Sequence, residues 1–350
     1  MMRRLTAIAL GVGVATTATL AHAQEYRWRM ATLAPSETSV YFQYFAVTLA
    51  ENVAKLTDGR VQITPYPAGV LAPAFEVYEA VQDGRADVGN TWPGYLVRQD
   101  PANSLLSAHP GGMGFDAYHT WLYEAGGQEL WQEFRRDVMG LHALVAGSGP
   151  TEVFLHSNRP VRSLTDLDGL RVRMSGAAAD IMESFGGAPV TVPGSEIYTM
   201  LERGAVDAAE WATPAENVVL GLPEIARYII MPGIHQPAFA FDFIMRADDW
   251  DALPDDIKTQ VEAAAKLTTY ESFLSWTYAD LQALQELRAG GNEFVSLDDE
   301  FRQAWREAGE EWARRHAEDN EWMARIAESY YDFLAAWEEN MELHINQQRR

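Results

Sequence analysis

Two short segments hold the residue types best able to do chemistry. In Leu170-Arg171-Val172-Arg173-Met174, arginines alternate with apolar residues, the pattern of a strand. Equal parity puts Arg171 and Arg173 on one face, unless the strand end twists one away. Arg173 is nearer the carboxyl end, before Ser175-Gly176. A guanidinium there can grip a carboxylate with two parallel hydrogen bonds; two solvated arginines on a surface strand are the plain alternative. In Asp207-Ala208-Ala209-Glu210-Trp211, small residues deliver Glu210 and Trp211 to a strand end, and Thr213-Pro214 opens a helix. With so little bulk around it, Glu210 is expected to be partly buried. A buried carboxylate needs a partner, whether in a ligand site or as a capping or core residue.

Motifs of catalysis are missing. The chain has no P-loop, no complete G-x-G-x-x-G, no G-x-S-x-G elbow and no H-E-x-x-H. Its histidines are not paired at metal-ligand spacing. Only His235, in Gly233-Ile234-His235-Gln236-Pro237, sits in a loop able to reach a cleft. With 0 cysteines, disulfides, thiolate zinc sites and cysteine nucleophiles are excluded. Absent motifs weaken the case for an enzyme without closing it.

Strand and helix patterns alternate along the chain. Strands are expected at Tyr26–Ala31, Val61–Tyr66, Ala86–Asn90 and Leu141–Ala146, with helices at Tyr41–Thr57, Ala74–Asp83 and His119–Asp137 between them. This is the order of a parallel α/β sheet. Gly147-Ser148-Gly149-Pro150 reads as a crossover, after which the pattern restarts with strands at Leu170–Met174, Ala188–Val192 and Val206–Trp211. Further strands are expected at Ile229–Pro232, Phe239–Arg246 and Glu293–Leu297, with helix over Pro254–Leu287 and Asp298–Leu343.

One internal similarity organises these elements. Glu76 to Asp87 resembles Glu196 to Asp207 at a constant offset of 120 residues, each copy a helix, a glycine and a strand opening near an aspartate. Gly84 and Gly204 suit the residue after a helix, where positive φ is needed. The repeat implies two similar lobes with a cleft between them, faced by the carboxyl edges of the sheets, where Asn90 and Trp211 fall.

With 350 residues, the chain is long enough for two such lobes. A net charge of −23 argues against nucleic acid or an anionic membrane surface as partner. Met1-Met2-Arg3-Arg4, the apolar run Leu5–Leu20 and Ala21-His22-Ala23 read as a secretory signal peptide over 1–23, cut before Gln24. The run is too short for a spanning helix, which needs about 20 residues. The mature chain is therefore expected to be exported, to the periplasm in a Gram-negative cell.

Taken with these segments, Asp-Ala-Ala-Glu-Trp-x-x-Pro resembles the periplasmic solute receptors of tripartite ATP-independent (TRAP) transporters. More narrowly, it resembles the branch that binds 2-oxo monocarboxylates such as pyruvate, or lactate, together with a cation. Asp100-Pro101-Ala102, Leu164 to Arg173, Tyr198 to Trp211 and Trp250-x-x-Leu253-Pro254 carry the similarity across nearly the whole mature chain. The resemblance implies an α/β fold, a two-lobed periplasmic binding protein with a central ligand cleft and a long C-terminal helix. The expected division is lobe I over 24–147 with part of 238–275, lobe II over 148–237 with part of 276–317, and a C-terminal helix over 318–350. It implies no catalysis; the rival readings are a carboxylate-dependent hydrolase or lyase and a sensory receptor.

Carried over by position, Arg173 matches the arginine that holds the ligand carboxylate. Glu210 matches a cation ligand, and Trp211 a contributor of its backbone carbonyl. Glu152 stands where the branch usually has glutamine, and Gln236 where it usually has glutamate, which looks like an exchange. Asp242 is the fallback for the Gln236 position. Trp92 and Tyr95 match the segment covering the ligand, and Gly94 stands where an aromatic ring is common, implying a roomier or differently shaped pocket. If Glu152 and Glu210 flank a ligand carboxylate, charges ~4 Å apart repel by about 4 kcal/mol at an effective dielectric near 20. Protons or a cation must relieve this, and an all-oxygen set suits Ca²⁺ or Na⁺, with charge favouring Ca²⁺. The expected partners are a small organic acid, the small and large TRAP membrane subunits, and a second copy. Trp322 to Trp337 on the C-terminal helix suit either the chain's own core or an exchanged dimer.

Overall fold

A computed structural model describes residues 25–107 and 109–346. The expected signal peptide, 1–23, lies outside the described residues. Eleven strands among them form two sheets. They are β1 (Tyr26–Thr32), β2 (Val61–Tyr66), β3 (Val88–Thr91), β4 (Leu141–Gly149), β5 (Leu155–Ser157), β6 (Arg171–Arg173), β7 (Ala188–Val190), β8 (Ala208–Ala209), β9 (Tyr228–Met231), β10 (Phe239–Arg246) and β11 (Glu293–Ser296). The first sheet has the order β2-β1-β3-β10-β4, the second β11-β9-β5-β8-β6-β7. The chain crosses between sheets after β4, after β9 and through the helix Asp255–Gly290.

The sheets are mixed, which corrects the expectation of a parallel one. β10 runs antiparallel to β3 and β4, and β5 antiparallel to β8 and β9. Both are strands that follow a crossing from the other sheet. Local departures have local causes. The helix expected over His119–Asp137 is two helices, Phe115–Glu124 and Gly127–Met139, broken where Gly126 takes φ +87°. β4 continues through Gly149 instead of stopping before a crossover, because it pairs with β10 as far as Phe239. β5 and the helix Ala102–Ser107 had no expectation; a three-residue strand gives periodicity too little length to register.

The 120-residue similarity is visible as a shared seam. Asp87 accepts from Arg29 N and Nε at 2.7 and 3.0 Å; Asp207 accepts from Arg171 N and Nε at 3.2 and 3.0 Å. In each copy the arginine also reaches the carbonyl of the helix-ending glycine, Gly84 or Gly204, whose φ values are +75° and +66°. Arg171 is therefore held half-exposed at the start of β6, while Arg173 at its end is buried. Shared parity did not give the two arginines a shared environment.

The C-terminal helix Glu321–Asn346 packs on its own chain. Met323, Ile326 and Tyr330 are buried, and Tyr330 Oη accepts from Met113 N at 2.7 Å.

Candidate functional site

The carboxyl ends of β6 and β8 and the crossing after β4 bring Arg173, Glu210 and Glu152 to one cavity. Leu33, Tyr41, Trp92, Tyr95, Trp211, Gln236 and Phe241 complete its walls, and its volume is about 20 Å³. Arg173, Glu210 and Glu152 are 1%, 5% and 0% exposed. Charged groups so deeply buried require partners, and the partners are specific.

Pairing of β6 with β8 sets Arg173 opposite Ala209, so the next residue, Glu210, lies beside the guanidinium. Arg173 Nη1 donates to Glu210 Oε2 at 2.8 Å and to the Glu210 carbonyl at 3.0 Å. Its Nε and Nη2 donate to the Val192 carbonyl at 3.2 and 3.0 Å. The guanidinium carbon lies 5.3 Å from the Trp211 ring centre, a cation–π contact.

Glu152 is held from the other side of the cavity. Gln236 Nε2 donates to Oε1 at 2.8 Å, and His235 Nε2 lies 3.1 Å from Oε2. Burial pushes the Glu152 carboxyl well above the usual carboxylate range; the Glu210 charge adds to this and Arg173 opposes it. Glu210 is raised by burial against the pull of Arg173. Of the two acids, Glu210 is the one bonded directly to the guanidinium. Burial, then the Arg173 charge, lowers His235 to about 3, so its ring is neutral.

Two carboxylates against one guanidinium leave room for one more positive charge. Donor atoms of Glu152, Glu210 and His235 all lie within 4.8 Å of one another. Buried acids short of positive charge fit a cation, and Gln236 and Trp211 line the same cavity.

The cover has a steric explanation. A Cβ on Gly94 would stand 2.1 Å from the Trp92 ring, so glycine is what lets the indole fold back over the chain. The Trp92 ring lies in the space beside Gly94 that a side chain there would need. The same ring reaches Gly176 at the far side, where a Cβ would meet it at 3.3 Å. Tyr95 stands edge-on to Trp92, ring centres 5.2 Å apart at 87°.

Asp242 does not join the site. It has the opposite parity to Phe241 on β10, so Phe241 faces the cavity while Asp242 points to the other side of the sheet. There it accepts from Arg135 Nε at 2.8 Å and Tyr78 Oη at 2.7 Å, with Arg135 and Asp242 both fully buried. Tyr41 and Phe241, which sequence reasoning missed, stack with ring centres 5.1 Å apart. Phe241 lies in a run of alternating phenylalanines that reads simply as core, and no polar signal marked either residue.

The family model for bacterial extracellular solute-binding proteins, family 7, matches residues 30–320. The chain belongs to the DctP family of TRAP solute-binding proteins. A relative 32% identical over 278 residues, spanning 79% of this chain and 76% of its own, is the monocarboxylate 2-oxoacid-binding periplasmic protein of Nostoc sp.. The fold is similar to a TRAP solute-binding protein of Bordetella bronchiseptica, a mixed-occupancy dimer with co-purified calcium and picolinate (TM-score 0.86, 24% identity, 92% of this chain and 97% of that one). It is also similar to one of Pseudoalteromonas atlantica with bound sodium and pyruvate (TM-score 0.84, 24% identity, 92% and 99%). Family membership makes this DctP-family chain a transport receptor and sets aside the hydrolase reading.

Proposed function

We propose that this DctP-family protein is the periplasmic receptor of a TRAP transporter for a small 2-oxo or 2-hydroxy monocarboxylate, pyruvate- or lactate-like, captured together with a cation. One observation carries the reading: a buried guanidinium, Arg173, shares its cavity with two buried carboxylates, Glu152 and Glu210. In this reading Arg173 binds the acid's carboxylate. Glu152, Glu210, Gln236 and the Trp211 carbonyl hold the cation, Ca²⁺ or Na⁺ by analogy with the structural neighbours. The acid's carboxylate and its neighbouring oxygen chelate that ion, which selects α-substituted acids over plain fatty acids. Trp92 and Tyr95 wall the ligand. Lobes over 24–147 and 148–237, each with part of the later chain, close on it, and the complex hands the acid to the small and large membrane subunits. Residues 1–23 serve as a signal peptide that is removed on export, and a second copy completes a homodimer.

Calorimetry of pyruvate, lactate, propionate and butyrate, with protein before and after chelator treatment, tests the reading. Pyruvate or lactate should bind with 1:1 stoichiometry and far more tightly than propionate, and lose at least tenfold in affinity after metal removal. Equal affinity for propionate, or full affinity in verified metal-free protein, would overturn it.

A further inference from the structure

His235 stands next to the carboxylates in a position that an all-oxygen cation site does not use. Its side chain is buried, with Nε2 3.1 Å from Glu152 Oε2 and Nδ1 without a hydrogen-bond partner among the described residues. The edge of Phe154 packs on it, ring centres 5.5 Å apart at 70°, which fixes the plane of the imidazole. A nitrogen of His235 and oxygens of Glu152 and Glu210 lie within 4.8 Å of one another, close enough to converge on one ion through side-chain adjustments of about an ångström. Nε2 is the ring nitrogen that faces Glu152, the carboxylate that the cation would share, and an ion taken up there would replace their hydrogen bond.

We infer that His235 is a ligand of the cation bound between Glu152 and Glu210, and that it turns the site from calcium or sodium toward a borderline divalent ion of the Zn²⁺ or Co²⁺ kind. The inference rests on the cation reading above. Calcium and sodium favour oxygen donors in large, flexible shells, whereas imidazole nitrogen suits first-row transition ions. Two carboxylates and one imidazole form a small mixed nitrogen–oxygen donor set. The chain holds no cysteine to compete for such an ion. The adjacent Gln236 amide, bonded to Glu152 Oε1, then orients a metal-bound carboxylate.

The test uses the mature full-length protein stripped of metal. Zn²⁺, Co²⁺ and Ca²⁺ are each titrated by calorimetry into wild type and His235→Gln, without organic acid. Wild type should bind Zn²⁺ and Co²⁺ at least tenfold more tightly than Ca²⁺, and His235→Gln should remove that preference. Tighter Ca²⁺ than Zn²⁺ binding in wild type, or an unchanged preference in the variant, overturns the inference. Should the variant fold poorly, the wild type alone decides: pulsed electron paramagnetic resonance of Mn²⁺-loaded protein should show one coupled imidazole nitrogen, and its absence counts against the inference. The two readings fail differently. If Ca²⁺ alone restores pyruvate binding and His235→Gln is silent, the cation reading stands and only the role of His235 falls. If metal-free protein binds pyruvate at full affinity, the cation reading falls.

Discussion

Arg173 Nη1 bonds both the side chain and the main-chain carbonyl of Glu210, at 2.8 and 3.0 Å, so one guanidinium edge ties β6 to the end of β8. Arg173→Ala should leave two buried acids without their cation. Stranding a buried charge costs about 3 kcal/mol or more, a loss of at least ~100-fold in acid affinity. Arg173→Lys keeps the charge but loses the fork, and should recover only part of the loss. Calorimetry on protein whose circular dichroism is unchanged checks this; unaltered affinity in either variant contradicts the assigned role.

Glu216 ties the helix after β8 to the segment after β1 near the site. From the helix Pro214–Val219 it accepts from Ser39 Oγ at 2.9 Å and Val40 N at 2.6 Å, in the segment that follows β1. Glu216→Ala removes both bonds, and a longer one from Trp211 Nε1 at 3.4 Å, while leaving the bonds of Arg173 and Glu152 in place. Acid affinity should fall about tenfold, and small-angle scattering should show a larger radius of gyration at saturating acid than in wild type. An unchanged radius and affinity would show that the clasp does not contribute to closure.

Gly94→Ala tests the cover. Its Cβ would collide with the Trp92 indole, which must then leave its place over the cavity. Affinity should fall roughly tenfold and tryptophan emission should shift to the red, with little change in Tm. Wild-type affinity and emission would mean that the indole position is irrelevant to binding.

Burial lifts Asp280 from its ordinary 3.8 to about 7, against bonds donated by Thr213 Oγ1 and Ala215 N. A raised acid binds its proton more tightly folded than unfolded. Its stabilising contribution is full below pH 3.8 and is lost as pH rises toward and through about 7. Between about pH 5 and 8 the Tm of wild type should fall more than that of Asp280→Asn. Parallel Tm profiles for the two proteins would contradict the shift.

Much of this molecule was readable before its coordinates. Strong signals were those in which local chemistry and global placement agree. Small residues before Glu210, a terminal arginine on β6 and the helix–glycine–aspartate repeat each described a position that packing then used. Other features depended on long-range contacts that no local pattern records. Asp242 looked available as an acid, but Arg135, 107 residues earlier in the chain, already holds it on the opposite face of β10. Gly94 suggested empty space because its function, accommodating a neighbouring indole, appears only once the ring is placed. Strand direction was misjudged for the same reason: the antiparallel neighbours of β10 and β5 lie far away in the chain.

The helix Asp255–Gly290 presents Trp276 to the aromatic cluster of Tyr41, Phe45 and Phe239, and one turn later presents Asp280 to the start of the helix Pro214–Val219. It behaves as a shaft gripped by two collars. Trp276 and Asp280 are one turn apart, so the aromatic cluster and the start of the helix Pro214–Val219 are held in register by a single turn of one helix.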